Sequence, residues 1–155
     1  MLDDIVHSVK VDDDALAIPY LVPMYDEPEF VIRNIWRLYG GWWDGAPARL
    51  KPPPDQAVGA EIVDLVGDVS TVIERAQQRS SEGDHRLACH LIDLAAAAEP
   101  ESQAVHHARI EIYTARRAVE TSLMAKGIFK GAVSDSQAAI SGELPDTKFV
   151  LDVTS

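Results

Sequence analysis

The segment from Pro28 to Pro47, PEFVIRNIWRLYGGWWDGAP, constrains this chain more than any other. Trp36, Trp42 and Trp43 are the only tryptophans in 155 residues, and they stand beside Tyr39, a Gly40-Gly41 pair and an Asp44-Gly45 turn. Pro28 suits the first turn of a helix, where its missing N–H would have had no partner. Phe30, Val31, Ile35, Leu38 and Tyr39 give that helix one apolar stripe, and Gly40-Gly41 end it. Large aromatic side chains are the strongest contact residues a small protein has, in cores and at interfaces alike. Crowding them at one helix end and the following loop predicts a loop held against something.

A chain of 155 residues is long enough for one domain with a real core. Twenty-five acidic residues against fourteen basic ones give a net charge of -11. Binding to nucleic acid needs concentrated Lys and Arg, and an anionic membrane surface needs the same, so this charge argues against both. Its simplest role is to keep the protein in solution. The single cysteine, Cys89, excludes an intrachain disulfide, and its apolar helical setting suggests an inert buried thiol. No stretch approaches the ~20 apolar residues of a membrane span, and MLDDIVHSVKVDDD lacks the pattern of a signal peptide. The expectation is a cytoplasmic protein.

Three regions follow from the punctuation. Residues 1–27 hold Asp3, Asp4, Asp12, Asp13, Asp14, Pro19 and Pro23, and are expected to form an extended arm packed through Ile18, Tyr20, Leu21, Val22 and Tyr25. Residues 28–131 are expected to be a helical domain. After the KPPPD spacer, Val58, Ile62, Leu65 and Val66 mark a helix stopped at Gly67. Asp68 can cap the next, with Val69, Val72, Ile73 and Ala76 inward. Leu87, Ala88, Leu91, Leu94, Ala95 and Ala98 mark a third, ended before Pro100. The longest helix is predicted from about Ser102 to Lys126, with a seam of Val105, Ala108, Ile112, Ala115, Val119 and Ser122 that a second helix could approach closely. Residues 132–155 read as an irregular tail, with TKFVLDVTS as a short strand or an ordered end.

Gly83-Asp84, Ala88, Ala95 and Pro100 match the second helix of a tetratricopeptide repeat, with Tyr113 a weak continuation. Alanines seven apart share a helix face and permit close backbone approach. Only about one and a half repeats are recognisable, fewer than the three or so a free solenoid needs. The fold class expected is therefore all-α, a tetratricopeptide-like antiparallel helical bundle with an extended N-terminal arm.

No self-sufficient active site emerges. The histidines, His7, His85, His90, His106 and His107, form neither HxHxDH nor HExxH. His85 and Cys89 are one helical turn apart with His90 adjacent, and an independent metal hydrolase built on these three is one reading to weigh. His106 and His107 point about 100° apart and are expected at the surface. No GxSxG elbow or phosphate-binding glycine loop occurs, because Gly40-Gly41 follows a helix rather than opening one. Asp44 either caps the WDG turn or fixes a loop lining a neighbour's pocket. Arg33 and Arg37 either take an anion or form a solvated, salt-bridging face.

YDEPEFVIRNIWRLYGGWWDGAPARLKPPP, GDHRLACHLIDLAAAAEP and ARRAVETSLMAKGIF together resemble the dimerisation region of the alkyl sulfatases, members of the metallo-β-lactamase superfamily. The resemblance runs from about Leu21 to Ala132, and its GGWWDGAP run is the distinctive part. It implies a homodimer, a parent enzyme that hydrolyses sulfate esters, and a zinc-binding catalytic domain as a second partner. A sterol-carrier-like domain often follows this region in the family. It implies no activity, catalytic residue, metal ligand or cofactor for this chain alone, the zinc belonging to the catalytic domain. The interface residues expected are Phe30, Ile35, Trp36, Tyr39, Trp42 and Trp43, with Val105, Ile112 and Val119 on the long helix. The runner-up is a tetratricopeptide-like adaptor that binds a peptide in a helical groove and stays monomeric.

Overall fold

A computed structural model describes residues 1–143. Among these residues every regular element is helical: α1 (Leu2–Ser8), α2 (Asp13–Leu16), α3 (Pro28–Gly40), a 3-10 turn (Pro47–Arg49), α4 (Asp55–Val66), α5 (Val69–Ser81), α6 (His85–Ala98), α7 (Gln103–Ala118) and α8 (Leu123–Ser141). The chain divides into two compact units. The first comprises Met1–Pro53 with Glu120–Ala125, and the second Pro54–Val119 with residues 126–143.

In the second unit the core is built from small and β-branched residues. Val72 and Ala76 of α5, Ala88, Ile92 and Ala95 of α6, and Val105, Ala108, Ile112 and Tyr113 of α7 are buried together. Short loops force successive helices to reverse direction, and α6 packs against α4, α5 and α7. The capping chemistry agrees with the sequence. Asp68 Oδ1 accepts from Ser70 N at 2.6 Å at the start of α5, and Asp84 Oδ1 from Leu87 N at 3.3 Å at the start of α6. Gly67, at φ 97°, closes α4 in the left-handed conformation that glycine tolerates. Ala88 and Ala95, the small residues that suggested a repeat, lie wholly inside the α6 packing.

Val58, Leu65 and Val66, which mark α4 in the sequence, are exposed, while Val63 packs against the core. The face turned to α6 instead carries Gly59, where an added Cβ would lie 2.5 Å from Leu94 O and 2.9 Å from Ala98 N. Backbones this close leave no room for a side chain, so a glycine rather than the larger apolar residues decides which side faces in.

Three expectations change. The arm over residues 1–27 is not wholly extended: acidic first turns and an Asp12 side chain accepting from Asp14 N support α1 and α2. The single helix from Ser102 to Lys126 is two. It breaks at residues 119–122, where Ser122 Oγ accepts from Ala125 N at 3.2 Å and starts α8, and donates to Tyr25 O at 2.5 Å. The part of the tail expected to be irregular is largely helix, since α8 runs through Gly131 to Ser141. TKFVLDVTS lies outside the described residues.

Candidate functional site

The aromatic segment forms a folded platform on the first unit. Gly41, at φ 85°, ends α3 and turns the chain back, so that Trp36 Nε1 on the helix donates to Trp43 O at 3.0 Å. The Trp36 ring lies over Gly40, 3.3 Å from where a Cβ would stand, so Gly40 gives the indole its space. Trp43 Nε1 donates to Ala46 O at 3.0 Å. Asp44 then closes the turn: one carboxylate oxygen accepts from Ala46 N at 2.9 Å and the other pairs with Arg49. These two contacts, the amide first, hold the Asp44 carboxyl below its usual range. Leu2 N donates to Asp44 O at 2.9 Å and ties α1 to the same loop. The capping reading of Asp44 is the one the geometry satisfies.

This network secures the backbone and leaves rings outside. Tyr39 is 84% exposed, Trp42 77%, Leu38 75% and Ile35 53%, while Trp43 is less exposed and Phe30 and Trp36 are half-buried. A loop with its polar groups satisfied internally and its largest apolar surfaces in solvent has the anatomy of a contact patch. Arg33 Nη2 pairs with Glu29 Oε1 at 3.1 Å, a surface pair on one helix face. Beside α3, an apolar groove of about 540 Å³ is lined by Leu21, Val22, Met24, Pro28, Val31 and Ile32 among others.

The other expected interface residues lie elsewhere. Val105 and Ile112 are 0% and 1% exposed, embedded between α5, α6 and α7, and cannot meet a partner without dismantling that core. The small-residue seam is the packing face of α7 within its own unit. Val119 is exposed at the end of α7.

Sequence reasoning missed a polar cluster in the second unit. Arg109 Nε donates to Asp93 Oδ1 at 2.7 Å, and its Nη1 to Ala132 O at 2.8 Å and Ser136 Oγ at 3.1 Å. Tyr113 OH donates to Asp93 Oδ2 at 2.6 Å, and burial together with this bond raises its pKa. The Arg109 guanidinium also lies 4.9 Å from the centre of the Tyr113 ring. His106, expected at the surface, is half-buried, with Nε2 2.7 Å from Pro100 O and Nδ1 3.2 Å from Ser136 Oγ. The signal was available in the apolar flanks of Arg109 and Tyr113, but no spacing rule links them to Asp93 or Ser136.

Among the described residues no three His, Cys, Asp or Glu side chains converge where a metal ion could be held. His85 Nδ1 instead lies 3.3 Å from Ser80 Oγ, and burial pushes the Cys89 thiol up to about 11, with Asp93 adding to the effect. A thiol so shifted is protonated at neutral pH, hence a poor nucleophile and ligand. A groove of about 530 Å³ beside Asp55, His90, Asp93 and Arg109 has two of its polar groups already paired with each other. No described helix is long and apolar enough to cross a membrane.

Fold and site together define an all-helical region that carries an exposed aromatic platform. Residues 1–138 match the family model described as alkyl sulfatase dimerisation, and the chain belongs to that family. Among curated proteins it is similar to the alkyl/aryl-sulfatase BDS1 of Saccharomyces cerevisiae, at 28% identity over 50% of this chain and 12% of that protein. It is also similar to an (R)-specific secondary-alkylsulfatase of a Pseudomonas species, at 29% identity over 54% of this chain and 13% of that protein. A linear primary-alkylsulfatase of another Pseudomonas strain is 29% identical over 57% of this chain and 17% of its own length. The chain thus spans less than a fifth of these relatives. The solved structure of the stereoselective inverting sec-alkylsulfatase Pisa1 from Pseudomonas superposes with a TM-score of 0.77 at 22% identity, over 88% of this chain and 22% of that one. That likeness establishes the fold.

Proposed function

We propose that this chain is the helical self-association region of an alkyl-sulfatase-like enzyme and that it joins two copies through the aromatic platform of its first unit. The observation that carries the reading is the platform's division of labour. The Trp36 and Trp43 indole N–H groups hold the loop, while Ile35, Leu38, Tyr39 and Trp42 present their apolar surfaces outward. A rigid patch binds at lower cost than a floppy one, because little side-chain and loop freedom remains to be lost. The role of this chain is non-catalytic. Hydrolysis of sulfate esters, and the zinc that serves it, are assigned to a catalytic domain of the parent enzyme. The activities named for the curated relatives support the ester class.

The test is a sedimentation-velocity dilution series on the full chain and two variants. Trp42→Ala and Tyr39→Ala each remove an exposed ring that makes no described hydrogen bond, so their folds should match the parent by circular dichroism. The expected result is a self-association constant weaker by about 2 kcal/mol for at least one of them, the loss typical of a central aromatic contact. Unchanged association in both would remove the platform from the interface.

A further inference from the structure

We infer that His106 is a proton-sensitive latch, fastening α8 to α7 while its imidazole is neutral and releasing it in acid. The donors and acceptors around the ring leave one arrangement of hydrogens. Nε2 lies 2.7 Å from Pro100 O, and a carbonyl oxygen only accepts, so Nε2 carries the hydrogen. Nδ1 therefore accepts, from the Ser136 hydroxyl at 3.2 Å. Ser136 Oγ in turn accepts from Arg109 Nη1 at 3.1 Å. One hydroxyl of α8 thus joins two side chains of α7, donating to His106 and accepting from Arg109. Arg109 Nη1 adds a second tie to α8 through Ala132 O at 2.8 Å.

A proton added to Nδ1 breaks this order. Ser136 Oγ would then have to accept from both His106 and Arg109, leaving its own hydrogen to find a new acceptor. Ser136 is 0% exposed, and a buried donor without a partner is costly. Ala132 O, one turn back on α8, already takes Arg109 Nη1 beside its helical bond. Two cations would also share one oxygen. The other charged groups nearby do not offset this. Asp93 of α6 is held by Arg109 Nε at 2.7 Å and by Tyr113 OH at 2.6 Å. Glu99 and Glu101 on either side of Pro100, Asp135 beside Ser136, and His107 are all exposed. Among the described residues the His106 ring bonds to Pro100 and Ser136, and to no carboxylate. What the latch guards is apolar: Phe129, Ala132 and Val133 of α8 pack against the core of the second unit. Its release would uncover that face.

Amide hydrogen exchange on the full chain tests the latch, with protection factors compared at about pH 7.5 and about pH 5.5, either side of the ordinary histidine range. A folded state that needs the neutral ring loses stability as pH falls through this window, because the unfolded chain takes up the proton without that cost. The expected result is a loss of protection in α8 about tenfold greater than in α6, the scale of one hydrogen bond to a charged group. His106→Gln, which cannot take the proton, should cut that excess to about twofold or less. Ser136→Ala keeps the imidazole and removes the shared oxygen, and it should do the same. His107→Gln should behave as the parent. An excess loss retained in His106→Gln or in Ser136→Ala, or absent from the parent, would overturn the latch. So would imidazole nitrogen spectra at about pH 7.5 that place the hydrogen of neutral His106 on Nδ1.

Discussion

At the scale of single residues, Gly59 and Cys89 carry the sharpest consequences. Replacing a mid-helix glycine by alanine ordinarily strengthens a helix by up to about 1 kcal/mol. At Gly59 the sign reverses, because the new Cβ would sit 2.5 Å from Leu94 O, a backbone atom that cannot swing aside. Gly59→Ala should therefore destabilise the chain by about 3 kcal/mol in urea unfolding, in the range of overpacked cores. Cys89 makes a prediction about pH. Its folded thiol is raised to about 11 by burial, above the ordinary thiol value. The unfolded chain thus releases this proton first, and the stability the protonated thiol contributes is full below about pH 8.5 and lost as pH rises towards 11. The drop in unfolding temperature between those pH values should be shallower in Cys89→Ala than in the parent, and parallel curves would refute it.

At the scale of elements, Ser122 joins two segments of the first unit. It caps α8 through Ala125 N and donates its hydroxyl hydrogen to Tyr25 O, tying a helix start to the loop before α3. Ser122→Ala removes a cap and leaves a carbonyl without its partner, so a loss of about 2 kcal/mol is expected in thermal unfolding. An effect under half that size would mean that water replaces the hydroxyl. Reading Ser122 as one more member of a helical seam is instructive. Val105, Ala108, Ile112, Ala115, Val119 and Ser122 keep helical spacing across a real break, because Ser is equally at home on a small-residue face and at an N-cap. Periodicity alone cannot tell those roles apart. The helices bounded by Pro28 and Gly40, or by Asp68 and Asp84, were legible because their stop and start residues have few other uses. The orientation of α4 was not legible, since Val58, Ile62, Val63, Leu65 and Val66 form a broad apolar stripe and only the flank carrying Gly59 and Val63 packs closely. The Asp93–Arg109–Tyr113–Ser136 cluster was hidden for a different reason: it joins α6, α7 and α8, and contacts between helices leave no fixed spacing in sequence.

At the scale of the molecule, the two units are stabilised differently. The second buries Ile92, Val105 and Ile112 in a core of its own, whereas the first holds its loop by indole and carboxylate hydrogen bonds and leaves its largest rings uncovered. That contrast explains why the aromatic segment stands out in the sequence as a candidate contact element, and why spacing alone placed Val105 and Ile112 beside it. Apolar residues at helical spacing look the same whether their partner is the same chain or another, and only crowded aromatics beside a glycine pair tip the balance. Whether a second copy covers this face is read from the molar mass of the full chain in solution, measured by light scattering at two protein concentrations. Self-association predicts a mass near 34 kDa, twice the 16.9 kDa of one chain. A mass of 16.9 kDa at both concentrations would contradict it.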